Sequence, residues 1–573
     1  LFREFGIVIA GSVIISAFVA LTLTPMLSSK ILKRRENHSW FYNKTEPFFV
    51  KMNDTYARGL NSFLNKKWLA LAIMLCSILM IYGFFTFLPS EVAPLEDRSR
   101  LSLNVTAPEG TSFEYMGNII DQLVKVVQDS VPENDAIISL TSPGFAGAVN
   151  TGFVNLILKK PELRNRSQQQ IADDLTKIVS QMTAARIYVT QQQTIGGSRR
   201  GGLPVQFVIQ AVNFEKLREV MPKFLEAAAD NPTFTVVEAN LKFNKPELRI
   251  SIDRQRARDL GVSTIDIAQT IQAAFSGQRF GFFIKDGKQY QVIGQVSREN
   301  RDEPIDLQSL YVKNNRDELI QLDNVVGLKE ESSPPQLYRF NRYVSAIISA
   351  GLAPGKTLGD GIAAMRNISD EILDETFSTA LDGPSKDFEE SSSSLYFAFL
   401  LALVLIYLVL AAQFESFRDP FIILFTVPLA LAGALLSLWY FNQTLNIFSQ
   451  IGIIMLIGLV TKNGILIVEF ANQRKESGEE KLEAIKFAAV ARLRPILMTS
   501  FSTILGILPI ALALGAGSES RVSMGIAVIG GLIFSTFLTL FIIPMMYLYL
   551  SRKRVKVRQK EFSSAKEEIV ISH

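Results

Sequence analysis

The sequence predicts a bundle of seven membrane helices that carries a large α+β region outside the bilayer. Three observations lead there. The chain of 573 residues is 48% hydrophobic, with a positive mean hydropathy. Seven windows lack charge over about 20 residues, the length that crosses a hydrocarbon layer of about 30 Å. They fall near 5–29, 68–89, 393–412, 421–441, 445–471, 495–516 and 522–550. Between the second and third lies a polar stretch of about 300 residues, enough for two or more folded domains.

The first window is followed by "KILKRRENHSW" and not by a small-residue cleavage site, so it reads as a membrane helix rather than a removable leader. The chain opens on leucine directly before it, and the expectation is a piece of a longer protein. Residues 31–67 then form an amphipathic connection, and the second helix follows at 68–89. Basic residues cluster in "NKKW", in the connection 472–494 (Arg474, Lys475, Lys481, Lys486, Arg492, Arg494) and in the tail "SRKRVKVRQK". Lys and Arg mark the cytoplasmic loops, which places 90–390 on the opposite side and lets every crossing alternate.

Two repeats organise the chain. "SAFVALTLTPMLSSKILKRR" (16–35) resembles "STFLTLFIIPMMYLYLSRKR" (535–554), with Ser16, Pro25 and Met26 matching Ser535, Pro544 and Met545 at one offset. Duplicated membrane halves are common in transporters, so residues 1–30 read as the last helix of an earlier half. In the exterior region, "RSRLSLNVTAP", "AIISLTS", "FVNLILKK" and "ARIYVTQQQ" alternate like strands. Helical spacing falls in "SFEYMGNIIDQLVKVVQ" and in "SQQQIADDLTKIVSQM", with Ser167 as an expected cap. The order βαββαβ over 90–200 is that of a ferredoxin-like split unit. A second such unit is expected over 201–245 and 336–388, interrupted by an inserted subdomain at 246–335, in which "KDGK" marks a hairpin turn. Five membrane helices over 389–550 and a cytoplasmic tail, 551–573, complete the expectation.

Composition removes several functions. A net charge of +4 gives no footprint for nucleic acid. One cysteine, Cys76, excludes a disulfide framework, and the only histidines are His38 and His573. The exterior region holds neither type, which argues against zinc or nucleophilic chemistry there and against a soft-metal path. Acidic pairs such as "PLED" and "NRDE" read as solvated surface.

The chemistry concentrates in the apolar segments. "GLVTKNGILIVEFANQ" (458–473) places Lys462 and Asn463 near the middle of a membrane helix, where a charge costs about 2.5–3.5 kcal/mol on insertion scales. Either the lysine snorkels to the interface or another group compensates for it. Gly458 and Gly464 leave room for a close neighbour. In "ARLRPILMTSFSTILGILP", Arg492, Thr499 and Thr503 share one helical stripe, and Pro495 is expected in the first turn or at the start of the membrane portion. The hydroxyls either bond back to their own helix or join Lys462 in a polar line. No carboxylate lies at mid-depth in any of the seven segments, so a counter-ion is expected from outside the chain.

These stretches, with "VLAAQFESFRDPFIILFTVPLALAGALL", resemble the resistance–nodulation–division (RND) transporters, most closely the branch that exports hydrophobic and amphiphilic compounds. The resemblance implies a homotrimeric pump in the bacterial inner membrane with a large periplasmic region. It would be driven by the proton gradient without any other cofactor, and would work with a periplasmic adaptor and an outer-membrane channel. It also implies a proton relay through Lys462, Asn463, Arg492 and Thr499, completed by aspartates that this chain lacks. The exterior units become two porter subdomains, and the insertion becomes a docking subdomain whose hairpin meets the outer-membrane partner. In "SPGFAGAVNTGF", Gly144, Phe145, Gly147 and Phe153 correspond to a loop beside the substrate pockets. A heavy-metal exporter, or a protein-translocation or receptor component, would share this architecture.

Overall fold

The computed structural model describes residues 2–31, 40–66, 68–143, 149–192, 194, 202–300, 309–334, 336–514 and 518–551. Helix α1 (Phe2–Leu21) continues into α2 (Leu23–Ile31). The break at Thr22 has a local cause, because Pro25 supplies no N–H for the Leu21 carbonyl. None of the described side chains of this rod is buried. Helix α3 (Trp40–Asn65) is amphipathic. It buries Tyr56, Leu60 and Leu64, and its Tyr56 hydroxyl donates to the Leu540 carbonyl at 2.6 Å. Helix α4 (Trp68–Phe87) then rises through the expected second window.

The first exterior unit runs β1 (Arg100–Thr106), α5 (Phe113–Ser130), β2 (Asn134–Thr141), β3 (Thr151–Leu158), α6 (Gln168–Val179) and β4 (Arg186–Gln191). All pairings are antiparallel, in the order β2-β3-β1-β4. Period-two alternation decides the faces. Leu101, Leu103, Val105, Val154, Leu156 and Leu158 are buried against the helices, while Ser102, Asn104, Asn155, Ile157 and Tyr188 stand on the open face. Ser112 caps α5, and Ser167 with Gln170 forms a capping box on α6.

The second unit starts with β5 (Val205–Ala211), α7 (Phe214–Ala229) and β6 (Phe234–Ala239). The insertion then follows as β7 (Lys245–Ile252), α8 (Arg254–Asp259), α9 (Thr264–Ile271), β8 (Gln278–Lys285), β9 (Lys288–Gly294), β10 (Tyr311–Lys313), β11 (Leu319–Gln321) and β12 (Val326–Ser333). Strands β7 and β12 pair along their whole length beside a small core of their own, built on Ile267, Leu322 and Val325. The β8–β9 hairpin turns at Asp286 and Gly287, both at positive φ (50° and 72°), as the "KDGK" signal requires. The unit resumes with β13 (Arg339–Phe340), β14 (Tyr343–Leu352), α10 (Leu358–Ile372) and β15 (Ser378–Leu381). Its sheet has the order β13-β14-β5-β15, with β6 also paired to β14.

The membrane portion comprises α11 (Gly383–Phe414), α12 (Arg418–Leu424), α13 (Thr426–Tyr440), α14 (Ile447–Glu476), α15 (Lys481–Ala511) and α16 (Val522–Leu550). Seven spans among the described residues are long and apolar enough to cross a bilayer. The fourth is split into α12 and α13 at Phe425, where Pro428 leaves the Leu424 carbonyl without its helical donor. Of the two places expected for Pro495, the first turn of a helix is ruled out. Helix α15 begins at Lys481, so Pro495 lies well inside it. Helices α13, α14 and α16 form the packed centre, whereas α4, α11 and α15 expose most of their surface. Glycines permit the tightest approach: a Cβ on Gly531 would stand 2.9 Å from the Ala430 carbonyl oxygen.

Candidate functional site

Lys462 stands at the midpoint of α14, and the helix rotation decides its surroundings. Asn463, Gly464, Ile467 and Val468 are buried against neighbouring helices, but Lys462 is exposed and shares its open stripe with Gly458. A Cβ on Gly458 would meet nothing within 4 Å, while one on Gly464 would lie 3.2 Å from Ile423. The two glycines therefore face different ways, and only Gly464 serves packing within the chain. Among the described residues Lys462 makes no hydrogen bond or ion pair. Glu469, further along α14, accepts from Gln473 at 3.0 Å instead.

Asn463 turns inward. Its Nδ2 donates to Thr536 Oγ1 at 3.4 Å, and Thr536 lies 3.1 Å from Ser500 Oγ. This buried polar cluster ties α14, α15 and α16 together at one depth. Because Lys462 and Thr499 precede Asn463 and Ser500 in the chain, both stand at that depth as well. The hydroxyl of Thr499 bonds back to the Ile496 carbonyl at 3.1 Å, and that of Thr503 to the Thr499 carbonyl at 2.9 Å. Arg492 sits elsewhere. Seven residues place it about 10 Å from Thr499 along the axis, with its guanidinium 4.5 Å from the Phe470 ring centroid. Its Nε is buried without a hydrogen-bond partner among the described residues. Ser500 and Thr536 were not singled out from the sequence. The available signal was the hydroxyl cluster Ser535, Thr536, Thr539 in an otherwise apolar helix.

The exterior units enclose a cavity of about 2560 Å³. One wall is the open face of the first sheet, with Ser102, Asn155, Ile157 and Tyr188. The other wall is α7 and β6, with Met221, Leu225, Val236 and Glu238. Phe153 is half-buried on the same open face, opposite Asn104 and Leu140 in the register, next along β3 from the lining Asn155. Gly144, Phe145 and Gly147 lie outside the described residues.

A hydrogen-bonded junction connects this cavity region to the helices. Leu445 N donates to the Pro89 carbonyl at 2.8 Å, and Ile447 N to the Val92 carbonyl at 3.1 Å. Asn446 caps α14 in a capping box and also accepts from Ser523 Oγ at 3.0 Å. The Thr444 hydroxyl donates to the Glu91 carboxylate. Burial pushes Glu91 above the usual carboxylate range, and the Thr444 bond opposes this. The reading of "PLED" as solvated surface is corrected here. Glu96 is buried, accepting from Ser520 in the short turn before α16 and from Arg98 Nε at 3.2 Å. Pairing with an arginine and a hydroxyl is what makes that burial tolerable.

Comparison with known proteins agrees with this architecture. Residues 1–551 match the AcrB/AcrD/AcrF family. An uncharacterized transporter of Haemophilus influenzae is 34% identical over 561 residues, a match covering 96% of this chain and 54% of that protein. The chain thus spans about half the length of that relative. With its long apolar helices and mixed α/β region, the chain belongs to the AcrB/AcrD/AcrF family of RND transporters and is a multi-pass membrane protein.

Proposed function

We propose that the chain is the C-terminal part of a proton-driven pump that exports hydrophobic or amphiphilic compounds. The observation that carries this reading is Lys462: a cation at mid-helix, on the open stripe of α14, with no partner among the described residues. A lysine so placed is costly unless an acid meets it. We assign that acid to the remaining part of the longer protein, packed against the stripe that includes Gly458. Protonation of the acid removes the attraction, and the polar groups at this depth, Asn463 and Thr499, rearrange. Arg492 serves as the cytoplasmic end of the route.

The two exterior sheets act as porter subdomains. Their matching orders, β2-β3-β1-β4 and β6-β14-β5-β15, support a ferredoxin-like duplication. The cavity between them takes the substrate, with Phe153 at its border. The insertion with its exposed β8–β9 hairpin docks an outer-membrane channel in a homotrimer served by a periplasmic adaptor. The test is reconstitution of the full-length protein in liposomes under an imposed pH gradient. Accumulation of an amphiphilic dye that collapses with the gradient supports the pump. Transport indifferent to the gradient contradicts it.

A further inference from the structure

Helix α3 follows the bilayer boundary on the side of the basic loops. It ends at Asn65, three residues before Trp68 opens the apolar helix α4. Its Glu46 pairs at 2.9 Å with Arg494, the last charge before the apolar run 495–516. Since Glu46 and Asn65 both stand at this boundary, the helix between them lies along it. The inner face of α3 is committed to the rest of the chain. Tyr56, Leu60 and Leu64 are buried, and the Arg494 guanidinium stands 4.6 Å from the Phe49 ring centroid.

The outer face has no such engagement. Lys44, Lys51 and Arg58 recur every seven residues, so each step drifts only about 20° around the helix. They form one exposed row about 21 Å long. None of the three makes an ion pair among the described residues. Of the two acids on α3, Glu46 is taken by Arg494. Asp54 stands on the flank of the row, and its backbone carbonyl accepts from Arg58 Nε at 3.4 Å. Aromatic rings accompany the cations: Lys44 Nζ sits 4.9 Å from the Trp40 ring centroid, and Trp40 and Phe48 are both exposed. At a bilayer surface such rings settle among the headgroups, while Lys and Arg stems carry their charges to the phosphates.

We propose that the outer face of α3 docks on the bilayer through anionic phospholipid headgroups, which Lys44, Lys51 and Arg58 select over zwitterionic ones. One Lys or Arg close to an anionic surface strengthens attraction about fivefold, and salt weakens it. The row has this role whatever compounds the chain transports. The test reconstitutes the purified full-length protein in phosphatidylcholine vesicles doped with lipids brominated on their acyl chains, which quench nearby tryptophan. The Trp40 signal is the difference between each protein and its Trp40→Phe counterpart. Brominated phosphatidylglycerol quenches that signal with an apparent affinity about fivefold above that of brominated phosphatidylcholine, and the ratio falls as salt is raised. In Lys44→Gln combined with Lys51→Gln and Arg58→Gln the two lipids quench alike, with the melting temperature in detergent unchanged. Lys44→Arg combined with Lys51→Arg keeps the preference. Equal quenching by the two lipids in wild type, or a preference that survives the triple variant, overturns the proposal. So does the absence of quenching by either lipid, which would show that protein and not bilayer covers this face.

Discussion

Asn463 and Lys462 are neighbours in sequence with opposite environments, and the 100° turn between successive helical residues accounts for it. Asn463 is buried and satisfied by Thr536, which in turn meets Ser500. Hydrogen bonds between membrane helices contribute about 0.6–2 kcal/mol each. Thr536→Val therefore lowers the melting temperature of the purified protein by an amount matching about 1–2 kcal/mol, and Ser500→Ala adds little once Thr536 is gone. Additive losses would mean that the two hydroxyls act independently. Lys462 was legible in the sequence because a charge interrupts an apolar run. Ser500 and Thr536 were not, because a hydroxyl in a helix is usually satisfied by its own backbone, and only the relative rotation of three helices brings these two together. Glu96 was misread for a related reason, since its partner Ser520 lies 424 residues away.

At the scale of elements, close packing and ion pairing do separate work. Helices α13 and α16 approach so nearly that a methyl on Gly531 would push on the Ala430 carbonyl, 2.9 Å away. Overpacking of this kind costs about 1–3 kcal/mol, so Gly531→Ala destabilises the bundle, measured by thermal melting in detergent. A similar loss is expected for Gly525→Ala, whose Cβ would lie 2.7 Å from the Ala511 amide nitrogen. In the first exterior unit, Arg166 joins the end of α5 to the start of α6. It donates to Glu133 at 2.6 and 2.9 Å and to Asp174 at 3.1 Å. The bond from Arg166 holds Glu133 below the usual carboxylate range. A lowered acid pKa contributes stability above the unfolded value, about 4.3, and loses it as pH falls through the folded value. Glu133→Gln thus reduces stability at neutral pH and flattens the acid limb below about pH 4, read by melting temperature against pH. An unchanged acid limb would show that the pair is fully screened. The strands and helices of this unit were readable from alternation and caps. The breaks at Thr22 and Phe425 follow from Pro25 and Pro428, whose effects the apolar windows concealed.

For the whole molecule, the distribution of burial carries the account. Helices α13, α14 and α16 are packed on most sides, yet α14 leaves the stripe of Gly458 and Lys462 open, and the α1–α2 rod buries none of its described side chains. In the proposed reading these faces receive the remaining part of a longer protein. The element order of the first exterior unit and the count of apolar spans among the described residues could be read from periodicity, whereas strands β7 and β10–β13 could not. Nor could the cavity, because it depends on how two sheets separated in sequence stand against each other. The junction of Glu91, Thr444, Asn446 and Ser523 ties the starts of α14 and α16 to Glu91, a residue that lines the cavity. The measurement that bears most directly on the central claim is gradient-driven dye transport by full-length Lys462→Ala in liposomes, alongside its oligomeric state. The account predicts transport at the level of protein-free liposomes with assembly intact. Wild-type transport by that variant would contradict it.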